Sequence, residues 1–126
     1  MERLLTRDEF REAVFARDGH KCIICGDTQK LDAHHIIERR LWSDGGYYLN
    51  NGATLCDNGP IDGCHAKAEA TILSVEDIRI AANIIKPIIP EDMYSDYIYD
   101  KWGNTILSSG KRSKGPLFYD ESVQKF

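Results

Sequence analysis

Four cysteines (Cys22, Cys25, Cys56, Cys64) and four histidines (His20, His34, His35, His65) are the residues best equipped for chemistry in this chain. All but His20 fall between positions 22 and 65. The Cys22-Ile-Ile-Cys25 turn presents two thiolates to one ion, and two further thiolates complete a tetrahedron. Between Cys56 and Cys64 lies Asp-Asn-Gly-Pro-Ile-Asp-Gly, a run of turn formers that can loop out and leave the two sulfurs close. Two disulfides, or a redox C-x-x-C pair, are the rival readings. A redox pair follows a strand and opens a helix. Here it follows Arg17-Asp18-Gly19-His20-Lys21 and precedes Gly26-Asp27, a loop context. One structural zinc on Cys22, Cys25, Cys56 and Cys64 is therefore the expectation.

The adjacent pair His34-His35 offers different chemistry. A neutral imidazole, with an ordinary pKa of ~6.5, accepts a proton from water near neutral pH. Neighbours in a regular strand point to opposite faces, so both rings serve one site only if the strand bends or ends there. Glu69 stands four residues after His65, on the same face if that stretch is helical. Taken alone, these are equally a surface His-His pair and a solvated glutamate. Arg39 and Arg40 follow the histidines and can donate to phosphates in bidentate fashion, or simply be solvated. The cluster Lys111, Arg112 and Lys114 suits a nucleic-acid backbone or a solubilising tail. His20 reads as structural, and Trp102, Phe118 and Tyr119 as packing anchors rather than base-stacking platforms.

The elements that must position these residues can be read from local signals. Thr6-x-x-Glu9 is a capping box, and Phe10, Ala13 and Val14 follow at helical spacing up to Asp18-Gly19, giving a helix over 7–17. Residues 30–37 alternate as a strand. Ser43 to Gly46 and Asn50-Asn51-Gly52 are turns, the second leading into a short strand at 53–55. Residues 64–70 are strong helix formers. Ser74-x-x-Asp77 caps a further helix with Ile78, Ala81, Ala82 and Ile85 on one face, ended by Pro87 and Pro90. Trp102-Gly103-Asn104 is a hairpin turn, followed by a basic Ser/Gly/Lys segment at 108–115.

The chain has 126 residues, 42% of them hydrophobic and 29% charged, which suits one α+β globular domain. Its net charge is −4. Residues 1–40 are balanced, 41–100 are acidic and 101–126 are basic, so a local basic face is compatible with the acidic total. No apolar run approaches the ~20 residues of a membrane span, and the first residues lack the apolar core of a signal peptide. The expectation is a protein with no membrane partner.

Taken in order, Cys22-Ile-Ile-Cys25-Gly26, Leu31-Asp32-Ala33-His34-His35-Ile36-Ile37, Asn51-Gly52-Ala53-Thr54-Leu55-Cys56 and Cys64-His65 resemble an HNH endonuclease of the zinc-containing, four-cysteine type. The match covers about residues 7–72, and the step from Asn51 to Cys56 has the family's usual length; the Cys56–Cys64 gap is longer than usual. The resemblance implies a small ββα-metal (His-Me finger) core with a structural zinc knuckle at 1–72. A C-terminal helix and basic extension, 73–126, would pack on the same domain. It implies that His34 and His65 hold a catalytic divalent ion (Mg²⁺, Mn²⁺, Ni²⁺ or Zn²⁺). His35 would be the general base, and Asn51 would hold the His35 ring in position. Glu69 takes the place where some members, including the nuclease colicins, carry a third histidine. Arg39, Arg40, Lys111 and Arg112 would contact nucleic acid, with DNA the expected substrate. Cleavage would leave 5′-phosphate and 3′-hydroxyl ends. The implied setting is cytoplasmic, in a bacterium or a phage-infected host. A non-catalytic zinc-knuckle module that binds nucleic acid is the alternative.

Overall fold

A computed structural model describes residues 2–120. It is a small mixed α+β protein with three helices and two antiparallel two-stranded sheets. Helix α1 spans Arg7–Arg17, strand β1 Leu31–His35, strand β2 Gly52–Cys56, helix α2 Cys64–Glu69 and helix α3 Val75–Ala81. Strands β3 (Thr105–Ile106) and β4 (Arg112–Ser113) form a small hairpin.

Both capping boxes are present. Thr6 accepts from the Glu9 N–H while Glu9 accepts from the Thr6 N–H, and Ser74 and Asp77 do the same for α3. All three helices end the same way. A residue in the left-handed region (Gly19, Thr71 or Asn83) lets a 6→1 and a 5→2 backbone bond close the last turn. That closure corrects the expected length of α3. Asn83, at φ 58°, ends the helix at Ala81, because Ile84 N donates to Arg79 O and Asn83 N to Ile80 O. Ile85 therefore leaves the helical face and is 90% exposed.

β1 pairs with β2 from Leu31 opposite Cys56 to His35 opposite Gly52. The expected strand over 30–37 is shorter and stops at His35, where Ile36 N turns to donate to Asn51 O. Residues 36–51 form a long loop with single 3₁₀ turns at each end. α1 lies across the strands through Phe10 and Val14, and it comes so close at Gly52 that a Cβ there would sit 2.5 Å from Val14 Cγ2. The C-terminal end of α1 is tied down as well. Arg17 donates to the Leu49 and Gly52 carbonyls, and Asp18 accepts from Thr54 N.

Beneath the sheet lies one core of Cys22, Ile36, Ile37, Trp42, Ala53, Leu55, Cys56, Cys64, Ala68, Val75 and Ile78. α3 therefore shares its core with residues 22–68. The segment after α3 returns to the same body: Trp102 Nε1 donates to Glu69 O, and Glu38 N to Lys101 O. The expected turn at Trp102-Gly103-Asn104 is present, organised by Asp100, whose carboxylate accepts from Trp102 N and Asn104 N. Among the described residues no helix is long and apolar enough to cross a membrane.

Candidate active site

The four cysteines converge. None is in a disulfide, and their sulfurs all lie within 4.8 Å of one another. A tetrahedral zinc with Zn–S bonds of about 2.3 Å needs sulfurs ~3.8 Å apart, and Cys25 Sγ lies 3.6 Å from Cys56 Sγ. The 57–63 loop swings out and returns through Gly63, whose N–H donates to Gly59 O, so that Cys64 opens α2 with its N–H on Cys56 Sγ. Burial works against a Cys22 thiolate, but backbone N–H groups of the knuckle outweigh it and bring its pKa to about 7. Burial pushes Cys64 up, and the neighbouring sulfurs push the same way. Four such thiols side by side, one poised as a thiolate, fit a thiophilic cation such as zinc.

A second cluster lines an open cleft of about 450 Å³. His34, in β1, is 2% exposed, and neither ring nitrogen has a partner among the described residues. His65, in the first turn of α2, stands edge-on to it with ring centroids 5.2 Å apart. His65 Nδ1 lies 3.2 Å from Asp32 Oδ2 and its Nε2 lies 3.0 Å from Glu69 Oε1. One ligand atom each from His34, His65 and Glu69 falls within a 4.8 Å span. The three suit a divalent ion at the ~2.0–2.2 Å of nitrogen and carboxylate ligands. The chief reason is His34, since two buried nitrogens without partners are costly unless something binds there.

Next to this cluster, where β1 ends, His35 faces the same cleft. Its ring stacks on Phe10 at 4.8 Å and meets Tyr47 edge-on at 4.9 Å. The buried Nε2 has no partner among the described residues. Burial lowers the His35 pKa to about 4, with the Lys101 ammonium acting the same way. Asn51 is fully buried and clips the long loop shut. Its Oδ1 accepts from Ile37 N, and its Nδ2 donates to the Ile37 and Gly46 carbonyls. It thereby fixes the residue beside Tyr47, and so the seat of the His35 ring. Neighbouring Asn50 instead reaches outward to the Lys86 carbonyl.

Several wall residues carry no local sequence signal. Lys101, 5% exposed, donates to the His35 carbonyl at 3.0 Å and lies 3.4 Å from Glu38 and 4.0 Å from Glu69. Burial lowers its pKa, with Glu69 and Glu38 opposing. Burial likewise works to raise the Glu69 carboxyl, but the His65 hydrogen bond and Lys101 outweigh it and hold it below its ordinary value. Arg7 and Arg11, one turn apart on α1, join Arg39 along the cleft. The helical period could have placed the two arginines on one face with Phe10 near it, but only the packed fold aims that face at β1.

The other basic candidates are placed elsewhere. Arg40 pairs with Glu38 and Asp120 and does not line the cleft. Arg112 reaches Asp100 and Thr71 from the β3–β4 hairpin, and Lys111 sits exposed in its turn. Lys114 covers the rings of Phe118 and Tyr119. Trp102 is a buried anchor, whereas Tyr119 is 77% exposed and anchors nothing in the core. His20 closes α1, its backbone N–H on Phe15 O. Comparison of the chain with protein-family models, curated proteins and solved structures returned no match.

Proposed function

We propose that this protein is a metal-dependent endonuclease of HNH type that hydrolyses phosphodiester bonds in DNA. In this reading β1, β2 and α2 form a ββα-metal core, and Cys22, Cys25, Cys56 and Cys64 hold a zinc remote from the chemistry. The observation that carries the proposal is the pairing of two features in one cleft. His34, buried with two partnerless nitrogens, clusters with His65 and Glu69, and His35, whose buried Nε2 is also partnerless, lines the same space.

His34, His65 and Glu69 would hold the catalytic ion. When bound, it supplies Lewis-acid stabilisation of the charge that grows on the scissile phosphate and the leaving 3′ oxygen. Asp32 receives the Nδ1–H of His65 and so presents Nε2 toward the ion site. His35 would take a proton from the attacking water, while the Phe10 and Tyr47 rings hold its imidazole in place. Asn51 is a positioning residue, acting on His35 through Ile37 and Gly46. Arg7 and Arg11 join the expected Arg39 as the arginines lining the cleft that a phosphodiester would enter.

The test is nicking of a supercoiled plasmid with added Mg²⁺, Mn²⁺ or Ni²⁺. Wild-type protein should cut, and His35→Ala should cut roughly 10²–10⁴-fold more slowly, with its fold and zinc content intact. A wild-type protein that binds DNA and never cuts it, with any of these ions, would instead be the zinc-knuckle binding module.

A further inference from the structure

The residue that the cleft leaves unexplained is Arg79, near the end of α3. Its Nε and Nη2 are buried, and among the described residues neither has a hydrogen-bond partner. These two nitrogens form the side-on edge of the guanidinium, the pair of parallel N–H donors that matches both oxygens of one carboxylate. Arg79 lines a separate pocket of about 120 Å³ that shares no residue with the histidine cleft. Ile37 and Val75 form part of its wall, and Met93, Tyr94, Tyr97 and Tyr99 contribute a sulfur and three rings. The rings support one another, Tyr94 meeting Tyr97 edge-on at 5.4 Å, and Tyr99 accepts the Tyr94 N–H at its hydroxyl.

We propose that this pocket binds a small monocarboxylic acid with an apolar, ring-sized body. A guanidinium that is partly withdrawn from water and unpaired is unfavourable, and an anion that fills its fork removes the penalty. Charge selects the valence. Glu76 is the one other charged residue in the lining, so the pocket holds a single cation and a nearby anion. With Glu76 exposed to solvent, one negative charge at the fork is matched by the Arg79 cation, whereas a phosphate dianion brings a second with nothing to meet it. Size and lining select the body: a cavity of ~150 Å³ lined by apolar groups takes a benzene ring, and this pocket is slightly smaller and already aromatic.

The proposal is independent of the nuclease reading, and its test needs no catalysis. The zinc-loaded protein is titrated with benzoate, with the neutral isostere benzamide and with inorganic phosphate. Binding is followed by tyrosine ring shifts in NMR and by thermal midpoint. Benzoate should bind saturably, move the tyrosine resonances and raise the midpoint; benzamide and phosphate should bind at least tenfold more weakly. Arg79→Met should lose at least tenfold in benzoate affinity. Arg79→Lys keeps the charge without the fork, should lose most of that affinity too, and covers the case in which the methionine variant fails to fold. Absence of saturable benzoate binding to the wild type, equal binding by both variants, or tighter binding of phosphate than benzoate would each overturn the assignment.

Discussion

His34 and His35 are adjacent, yet the proposal gives them different work. His34 is fully buried with neither ring nitrogen partnered among the described residues, and the proposal makes it a metal ligand. His35 is only partly buried and lines the cleft, its Nε2 likewise without a partner among the described residues, and the proposal makes it the base. The same burial makes a pH prediction with a definite sign. In the unfolded chain His35 takes a proton near its ordinary pKa of ~6.5, whereas in the fold burial holds it to about 4. Its contribution to stability is thus fully present above pH ~6.5 and drains away as pH falls toward 4. His65 has the opposite sign: Glu69, aided by Asp32 against burial, raises its pKa, so its contribution is present at low pH and lost as pH rises through the raised value. Comparing wild type with His35→Phe, in protein carrying only its zinc, isolates the His35 part. The wild type's stability relative to that variant should fall between pH 6.5 and 4 in urea titrations. A difference that stays flat over this window means that the ring protonates normally in the fold. Glu69 gives a second residue-level prediction. In the proposed ion site its carboxylate would add an oxygen and a negative charge to two imidazoles, which suits Mg²⁺ and Mn²⁺ better than a third imidazole would. Glu69→Ala should weaken activation by metal and recover partly at higher metal concentration, and Glu69→His should shift preference toward Ni²⁺ or Zn²⁺. Superimposable curves of nicking rate against metal concentration for all three proteins would make Glu69 a plain partner of His65.

At the scale of elements, the cysteine knuckle joins three pieces: the loop after α1, the end of β2 and the start of α2. Cys22, Cys56 and Cys64 also belong to the hydrophobic core. Losing one ligand should therefore damage folding before chemistry. Cys25→Ser, or zinc removal by a chelator, should abolish cooperative unfolding and give aggregation. A folded, zinc-free Cys25→Ser protein, identified by its metal content and far-UV dichroism, would remove the structural role. These joints were legible in the sequence because they are local. The capping boxes, the C-x-x-C turn and the Asn51-Gly52 step into β2 each act within a few residues. The end of α3 was not legible, because Ile84 and Ile85 extend the apolar period while Asn83 adopts a left-handed turn that periodicity does not report. The aromatic seat of His35 was hidden for a different reason. Phe10 has the spacing of an ordinary core residue, and it becomes a seat only when α1 packs across the end of β1.

At the scale of the whole molecule, Lys101 is the link between the C-terminal segment and the cleft. It lies 66 residues from His35 in sequence, beyond any local signal, yet its ammonium donates to the His35 carbonyl. It is buried among Glu38, Glu69 and the Trp102 ring. The C-terminal region thereby places a positive charge beside a carboxylate that the proposed ion also needs. Two like charges sharing Glu69 oppose each other, so the ammonium should loosen metal binding. The same charge should help an anionic phosphate settle and its transition state form. Lys101→Met separates these effects. Removing one charge at this range, at the effective dielectric of a partly buried site, should tighten divalent-ion binding by roughly tenfold or more. At saturating metal, nicking should still be slower, because the developing phosphate charge has lost a neighbour. Stability should also fall by about 1–3 kcal/mol, since the His35 carbonyl loses its lysine donor, while Arg40 still pairs with Glu38. Calorimetric metal titration reads the first effect, nicking at saturating metal the second and urea midpoints the third. If metal affinity is unchanged while stability falls, Lys101 is a structural clasp for the C-terminal segment and its charge does not reach the ion site.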